Sequence, residues 1–323
     1  MHLVDVVVPV RDAARHLPTF LDTVRANTLD GARFVVVDDH STDETPHLLD
    51  AAARDLSVLH VVRADRQVGA AHARNLALEV LDARYLTFLD VDDWTAPGRL
   101  AALVAAAERT GASVVRTDHV RVDGYRRTLE RAPWHVRGAV ADAREGIGDS
   151  GGRALVDYPY LWAGIYDVTR LDPALLPFDV TLRTASDRPW FWRLHLGAPD
   201  VTVVDAPAYF YRRTAGSGSL TQAGEERLLD FLPAYHQVLD LAARAGVAAY
   251  GRRAAYGACR IVAFHVEKRG RLSRALQSRL LEGSCHLLAR PDDDTFAAAV
   301  REFAPPERQL LQALRHAGRG GRP

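Results

Sequence analysis

The chain has 323 residues, of which 48% are hydrophobic and 25% charged, so a sizeable core is available and one large domain plus an extension is expected. Its 41 basic and 41 acidic side chains cancel, which speaks against nucleic acid as a partner and against a general grip on an anionic membrane, a local patch aside. Cys259 and Cys285 are too few for a disulfide scaffold and lack metal-ligand spacing, so both are expected as buried thiols in a reducing compartment.

Lys268 is the single lysine, an imbalance that reads as base composition of the coding sequence. The opening MHLVDVVVPV has no basic n-region, and Asp5 interrupts its short apolar run. It is expected as a first strand, not a signal peptide. No apolar run approaches the roughly 20 residues that span a bilayer. The expected location is the cytoplasm, with peripheral attachment at the inner face of a membrane as the alternative.

Residues 4–10 form a continuous apolar, β-branched run, and residues 13–26 place Leu17, Phe20, Leu21 and Val24 at helical spacing. Residues 34–37 give a second buried strand ending in Asp38-Asp39. Ser41 and Glu44 then stand at the spacing of a capping box. Residues 58–62 are a third strand and 70–81 an alanine-rich helix. Residues 85–89 are a fourth strand that delivers Asp90-Val91-Asp92-Asp93. A helix follows Pro97 to about Arg109, and 112–116 is a fifth strand. Strands apolar on both faces, separated by helices, indicate parallel βαβ units. Their carboxyl ends share one edge, where ligands bind in open α/β sheets. Both acidic clusters should face that edge.

Residues 118–160 lose periodicity and are expected as an irregular excursion. Residues 162–168 and 201–212 read as further strands, with an aromatic-rich helix starting near Asp187 between them. From Glu225 onward the pattern is helical, and the tail from 315 to 323 is expected to be disordered.

The strongest chemical signal is Phe88-Leu89-Asp90-Val91-Asp92-Asp93-Trp94. Clustered carboxylates at a strand end repel unless a cation or hydrogen-bond donors compensate. Oxygen ligands of this kind suit Mg2+ or Mn2+, which take one or two carboxylates plus substrate phosphates. An acidic turn that merely caps the next helix is the plainer reading, and the strand-end position weighs against it. The second signal, Val35 to Asp43, offers carboxylates that could accept a base imide N–H or hold a ribose hydroxyl. Helix capping by Ser41 and Asp43 would leave Asp38 and Asp39 unexplained.

Taken together, Val8-Pro9-Val10, VVVDDHSTDET at 35–45, Gly69 to Asn75, FLDVDDW at 88–94, Ser186 to Trp192 and Tyr209-Phe210-Tyr211-Arg212 resemble the family 2 glycosyltransferases of the GT-A fold. The ordered set covers about residues 3–221. The resemblance implies an α/β, Rossmann-like, mostly parallel sheet over 1–222 (a nucleotide-binding half at 1–117, an acceptor half at 118–222) and a helical C-terminal region at 223–323. It implies an inverting, metal-dependent transfer from a nucleotide-diphosphate sugar, with a UDP-sugar favoured, to a hydroxyl of a glycan, lipid-linked or small-molecule acceptor. Mn2+ or Mg2+ would be the cofactor.

By the same resemblance, Asp39 reads the base, Pro9 and Val10 line the nucleoside pocket, and Arg74 lies in the segment that closes it. Asp90 approaches the ribose, and Asp92, with Asp93, serves the metal. Asp187 is the catalytic base. Arg212, Ser219 and Thr221 fall in a phosphate-facing segment. Trp162 and Trp190 are candidate acceptor platforms, with plain packing as the alternative for each. The family often has Asn at Asp12 and Gly at His40; histidine tolerates left-handed backbone better than most residues, so the turn can survive. Ser186 stands where an acidic residue usually precedes the base.

A nucleotidyltransferase would want a glycine-rich basic loop near the N-terminus, and residues 8–14 carry only Arg11. Phosphatases with DxD and receiver domains want a lysine, and a dehydrogenase wants GxGxxG after its first strand. A catalytically silent nucleotide- or carbohydrate-binding scaffold of the same fold stays open because of Ser186. Three roles stay open for the C-terminal helices: shaping the acceptor site, homodimerisation, and membrane docking, the last weakest for want of a lysine-rich amphipathic face.

Overall fold

The computed structural model describes residues 2–149, 151–213 and 226–320. Buried β-branched runs set up its first half. β1 (His2–Val10), β2 (Ala32–Asp38), β3 (Leu59–Arg63) and β4 (Ala83–Phe88) are joined by α1 (Leu17–Ala26), α2 (Thr45–Asp55) and α3 (Ala70–Glu79). All four strands pair in parallel, with Val10 opposite Asp38 and Val7 opposite Phe88. The acidic segments that follow β2 and β4 therefore leave the sheet at one edge, as the strand pattern predicts.

After β4 come β5 (Trp94–Thr95), α4 (Arg99–Thr110), β6 (Val114–Thr117), β7 (His119–Asp123), β8 (Arg126–Glu130), β9 (Ala141–Asp142) and β10 (Gly164–Asp167). Then follow α5 (Asp187–Gly197), β11 (Asp200–Val204) and β12 (Tyr209–Arg212). The main sheet has the order β3-β2-β1-β4-β10-β6-β11-β9, with β10 antiparallel to β4 and β6. A smaller sheet runs β5-β12-β7-β8. This mostly parallel sheet is the GT-A arrangement that the resemblance implies.

Two expectations change here. Residues 201–212 are two strands in different sheets, because the connection through Ala206-Pro207 breaks the run. The excursion after residue 118 holds an antiparallel hairpin, β7–β8, with Val122 opposite Arg127 and Gly124 at φ +56 in the turn. Alternating Val120 and Val122 before an Asp-Gly pair is a hairpin signal.

The described residues divide into two compact units. One comprises Met1–Gly146, Tyr158–Thr181 and Gly197–Ser217; the other comprises Ile147–Asp157, Leu182–Leu196 and Gly218–Pro323. The helical unit is thus more than the expected 223–323. Ile147, Val156 and Trp192 are buried in its core with Leu232, Tyr235 and Ala258, which draws their segments into it. Its helices are α6 (Phe231–Ala245), α7 (Ala248–Glu267), α8 (Arg274–Ala289), α9 (Asp293–Val300) and α10 (Pro305–Gly318). Residues 315–318 of the tail expected to be disordered are helical, since α10 continues to Gly318, and residues 321–323 lie outside the described residues. Arg315 is buried, donating to the carbonyls of Leu288 at 2.7 Å and Pro291 at 2.8 Å. Cys259 is buried and Cys285 half-buried, both free. No helix among the described residues is long and apolar enough to cross a membrane.

The antiparallel insertion of β10 sets one tight constraint. A Cβ on Gly164 would lie 2.1 Å from the Val115 carbonyl oxygen of β6, a contact with backbone that cannot swing away. Gly164→Ala should therefore lower stability by about 3 kcal/mol, seen as a reduced urea midpoint at unchanged m-value.

Candidate active site

The connection after β1 and the one after β2 are stitched together by short polar side chains. Asp12 Oδ1 accepts from the Thr42 N–H at 2.8 Å, and the Asp12 N–H donates to Ser41 Oγ at 2.9 Å. Asp43 accepts from the amides of Ala14 and Thr45. Ser41 is therefore engaged by Asp12, and the capping box expected with Glu44 does not form. α2 begins at Thr45 instead, with no side-chain cap from Glu44. Asp12 and His40 both take left-handed backbone, at φ +44 and +57, so the turn survives both departures from the family pattern.

Asp39 follows directly, its N–H donating to the Val10 carbonyl at 2.8 Å. Its buried carboxylate accepts from the backbone amides of Val68 at 2.5 Å and Gly69 at 2.9 Å. Both oxygens thus organise the loop that opens α3. Pro9 and Val10 lie at the end of β1 beside this turn.

From α3, Asn75 exchanges two hydrogen bonds with the backbone of Phe178, at 2.9 and 2.8 Å. Arg74 lies 5.6 Å over the Phe178 ring and reaches Asp90 at 3.4 Å, and its Nε is buried without a hydrogen-bond partner. Arg74 thereby joins the segment after β3 to the first carboxylate after β4.

The turn after β4 closes through the Asp93 N–H to the Asp90 carbonyl at 3.0 Å. Asp93 is buried, with Tyr209 Oη donating to one oxygen at 2.9 Å and the Arg212 N–H to the other at 2.7 Å. Burial, then the charges of Asp92 and Asp90, push it well above the usual carboxylate range. Asp93 fastens the turn to β12, with a donor on each of its carboxylate oxygens. Asp92 is different. Among the described residues it makes no ion pair, and its side chain opens to solvent within a recess of protein. That recess and the Asp90 charge raise its pKa to about 6, against the opposing pull of Arg212 and Arg15.

Arg212 donates from Nε to the Asp92 carbonyl at 2.8 Å and lies 4.9 Å over the Trp94 ring. Arg15, in the β1–α1 connection, was not among the sequence candidates. It lies at no strand end and in no motif, and only its charge on Asp92 reveals it. Ser219 and Thr221 lie outside the described residues.

Neither tryptophan offered as an acceptor platform is open. Trp162 is buried and stacked flat on Tyr209, with centroids 3.9 Å apart. Trp190 is fully buried against Phe191, so its burial argues for packing. Arg99 is also buried, donating to the Pro207 carbonyl at 2.6 Å and to Thr117 Oγ1 at 2.8 Å. In the helical unit, Asp187 is half-buried at the first turn of α5, after the buried Ser186.

No three His, Cys, Asp or Glu side chains among the described residues converge as a metal cage. The donor set still fits a hard divalent ion of the kind that completes its shell with water and phosphate. Asp92 supplies an oxygen, Asp90 adjoins it, and their mutual repulsion is what such an ion would relieve.

Residues 5–164 match the family model for glycosyl transferase family 2. The chain belongs to this family. Among curated relatives, the transferase is 23% identical over 261 residues to the uncharacterized glycosyltransferase EpsJ of Bacillus subtilis, covering 80% of this chain and 72% of that one. It is 26% identical to glycosyltransferase GlyG of Streptococcus pneumoniae over 38% of this chain, and that match spans only 40% of GlyG. Among solved structures, it resembles S. aureus TarS 1–349 in complex with UDP, with TM-score 0.73 and 17% identity over 98% of this chain and 87% of that one. The same TarS fragment in complex with UDP-GlcNAc gives 0.71. At that identity the likeness establishes the fold.

Two outcomes follow for the transferase. Tyr209→Phe removes the hydroxyl shared by the Asp93 carboxylate and the Asp90 amide, and should lower thermal stability by about 1–3 kcal/mol. A cation held by Asp92 would require the loss of its proton, so on that reading Mn2+ affinity should be level above pH 7. It should fall about tenfold per pH unit well below 6, read by titration calorimetry.

Proposed function

We propose that the transferase moves a sugar from a nucleotide-diphosphate donor, with a UDP-sugar favoured, to an acceptor hydroxyl with inversion, assisted by Mg2+ or Mn2+. The observation that carries this is the turn after β4, where Asp92 is held open beside Asp90 while Arg15 and Arg212 pull on its charge. Carboxylate and guanidinium side by side suit a diphosphate that arrives with a cation. The TarS complexes with UDP and UDP-GlcNAc, of the same fold, support a uridine donor.

In this reading Asp92, with Asp90, holds the ion, and Arg15 and Arg212 orient phosphate oxygens. The bound ion would stabilise the charge on the departing nucleoside diphosphate. Arg74 positions Asp90 for the ribose. For Asp39, the two amides it holds make shaping the nucleoside pocket its first task, with base contact through the lone pairs that remain. Asp187 takes the proton from the acceptor hydroxyl, a contribution of about 10²–10⁴-fold. Its support is the motif Ser186 to Trp192. Attack opposite the leaving group inverts the anomeric carbon with no covalent intermediate.

The test is a donor screen across nucleotide sugars with Mn2+, following nucleoside diphosphate and sugar 1-phosphate separately. Wild type should release nucleoside diphosphate; sugar 1-phosphate instead, expelled by attack at the nucleoside's α-phosphorus, would indicate a nucleotidyltransferase. Asp92→Ala should abolish the joint stabilisation by UDP plus Mn2+ in thermal melting. Asp187→Asn should keep that stabilisation and lose transfer by about 10²-fold or more. Normal turnover by both variants would overturn the assignment.

A further inference from the structure

The edge of the second sheet carries features that the donor site does not use. β8 is its terminal strand, paired on one side with β7 and reached through the turn at Gly124. Tyr125, next in that turn, is fully exposed, and Leu129 is 54% exposed. Arg126, Arg127 and Arg131 are exposed, and among the described residues they form no ion pair, whereas Arg121 pairs with Glu130 at 3.4 Å.

Charge on an edge strand guards against unwanted strand pairing, and that alone would account for the arginines. It does not account for a bare tyrosine and leucine among them, which work against such protection. Guanidiniums without an ion pair (Arg127 donates only to the Tyr125 carbonyl, at 3.3 Å), an amphipathic ring and an aliphatic side chain together match the boundary of an anionic bilayer. There arginines meet lipid phosphates while tyrosine lies at headgroup level. A soluble polyanion would use the arginines and leave Tyr125 and Leu129 idle. Strand alternation places Leu129 on one face of β8 with Arg127, while Arg126 opens the strand and Arg131 follows its last residue. The register carries that face inward from Leu129 to Val120, Phe210 and Trp94. Arg212 follows Phe210 by two residues on β12 and bonds the Asp92 carbonyl, so this face is continuous with the acidic turn.

We propose that the β7–β8 hairpin docks on an anionic phospholipid surface, with Tyr125 and Leu129 entering the headgroup region and Arg126, Arg127 and Arg131 contacting lipid phosphates. The chain's zero net charge does not oppose this, because the arginines act locally within about a Debye length. Docking through this sheet would favour acceptors held at the bilayer.

Co-sedimentation of the full chain with phosphatidylcholine vesicles, with and without phosphatidylglycerol, tests the proposal. Binding should rise about tenfold or more with phosphatidylglycerol, and fall with salt. The combined variant Arg126→Gln, Arg127→Gln, Arg131→Gln should return to the phosphatidylcholine level. Tyr125→Ser with Leu129→Ser should bind several-fold more weakly. Thermal melting would show that these surface variants fold. Equal binding to both vesicles, or either variant binding like wild type, would overturn the proposal. So would release of the chain by inorganic polyphosphate together with an unaffected Tyr125/Leu129 variant, the mark of a soluble polyanion site. No nucleotide or metal enters the assay, so failure of the donor reading would leave this result intact.

Discussion

The acidic turn depends on the buried Asp93 carboxylate. A carboxylate enclosed by protein is costly unless it is protonated or surrounded by donors. Asp93 obtains donors from the Tyr209 hydroxyl and the Arg212 amide, both on β12. The turn is thus fixed to a strand far along the chain, and Trp162 stacked on Tyr209 immobilises the donor in its turn. Asp92, its immediate neighbour, lies in a recess where burial and the Asp90 charge raise its pKa. One residue is anchored inside and the one before it is left open to solvent. The order of the two along the chain decides which does which.

Most of the first 117 residues were legible because their signals are local. Buried β-branched runs, helical spacing and strand-end aspartates lie within short windows, and the parallel arrangement follows from them. The second sheet was less legible. β5 is two residues long and β12 pairs with strands distant in sequence, so nothing near Trp94 or Tyr209 announces their partnership. The hairpin was readable in principle from Asp123-Gly124 between alternating valines; the arginines around it obscured the pattern.

The candidate site residues were legible by chemical type more than by the contacts they make. The resemblance put Asp39, Asp90, Asp92 and Asp93 near the edge of the sheet, where β2 and β4 end. It did not distinguish a carboxylate holding backbone amides from one left open, because that depends on contacts such as Asp39 to Val68 and Gly69. Arg15 escaped notice for the same reason. Trp162 and Trp190 were ambiguous because an aromatic side chain serves equally as platform or packing, and burial decides.

The buried Arg99 has a consequence for the chain's preference for arginine over lysine. Its two terminal nitrogens reach separate segments at once, the Pro207 carbonyl and the Thr117 hydroxyl. A primary amine has one nitrogen on a flexible stem and could not span both. Whatever nucleotide bias first favoured arginine codons, the fold has come to rely on the forked shape of this side chain, and swapping the cation for its simpler cousin would open a gap inside the protein, not merely relabel a charge.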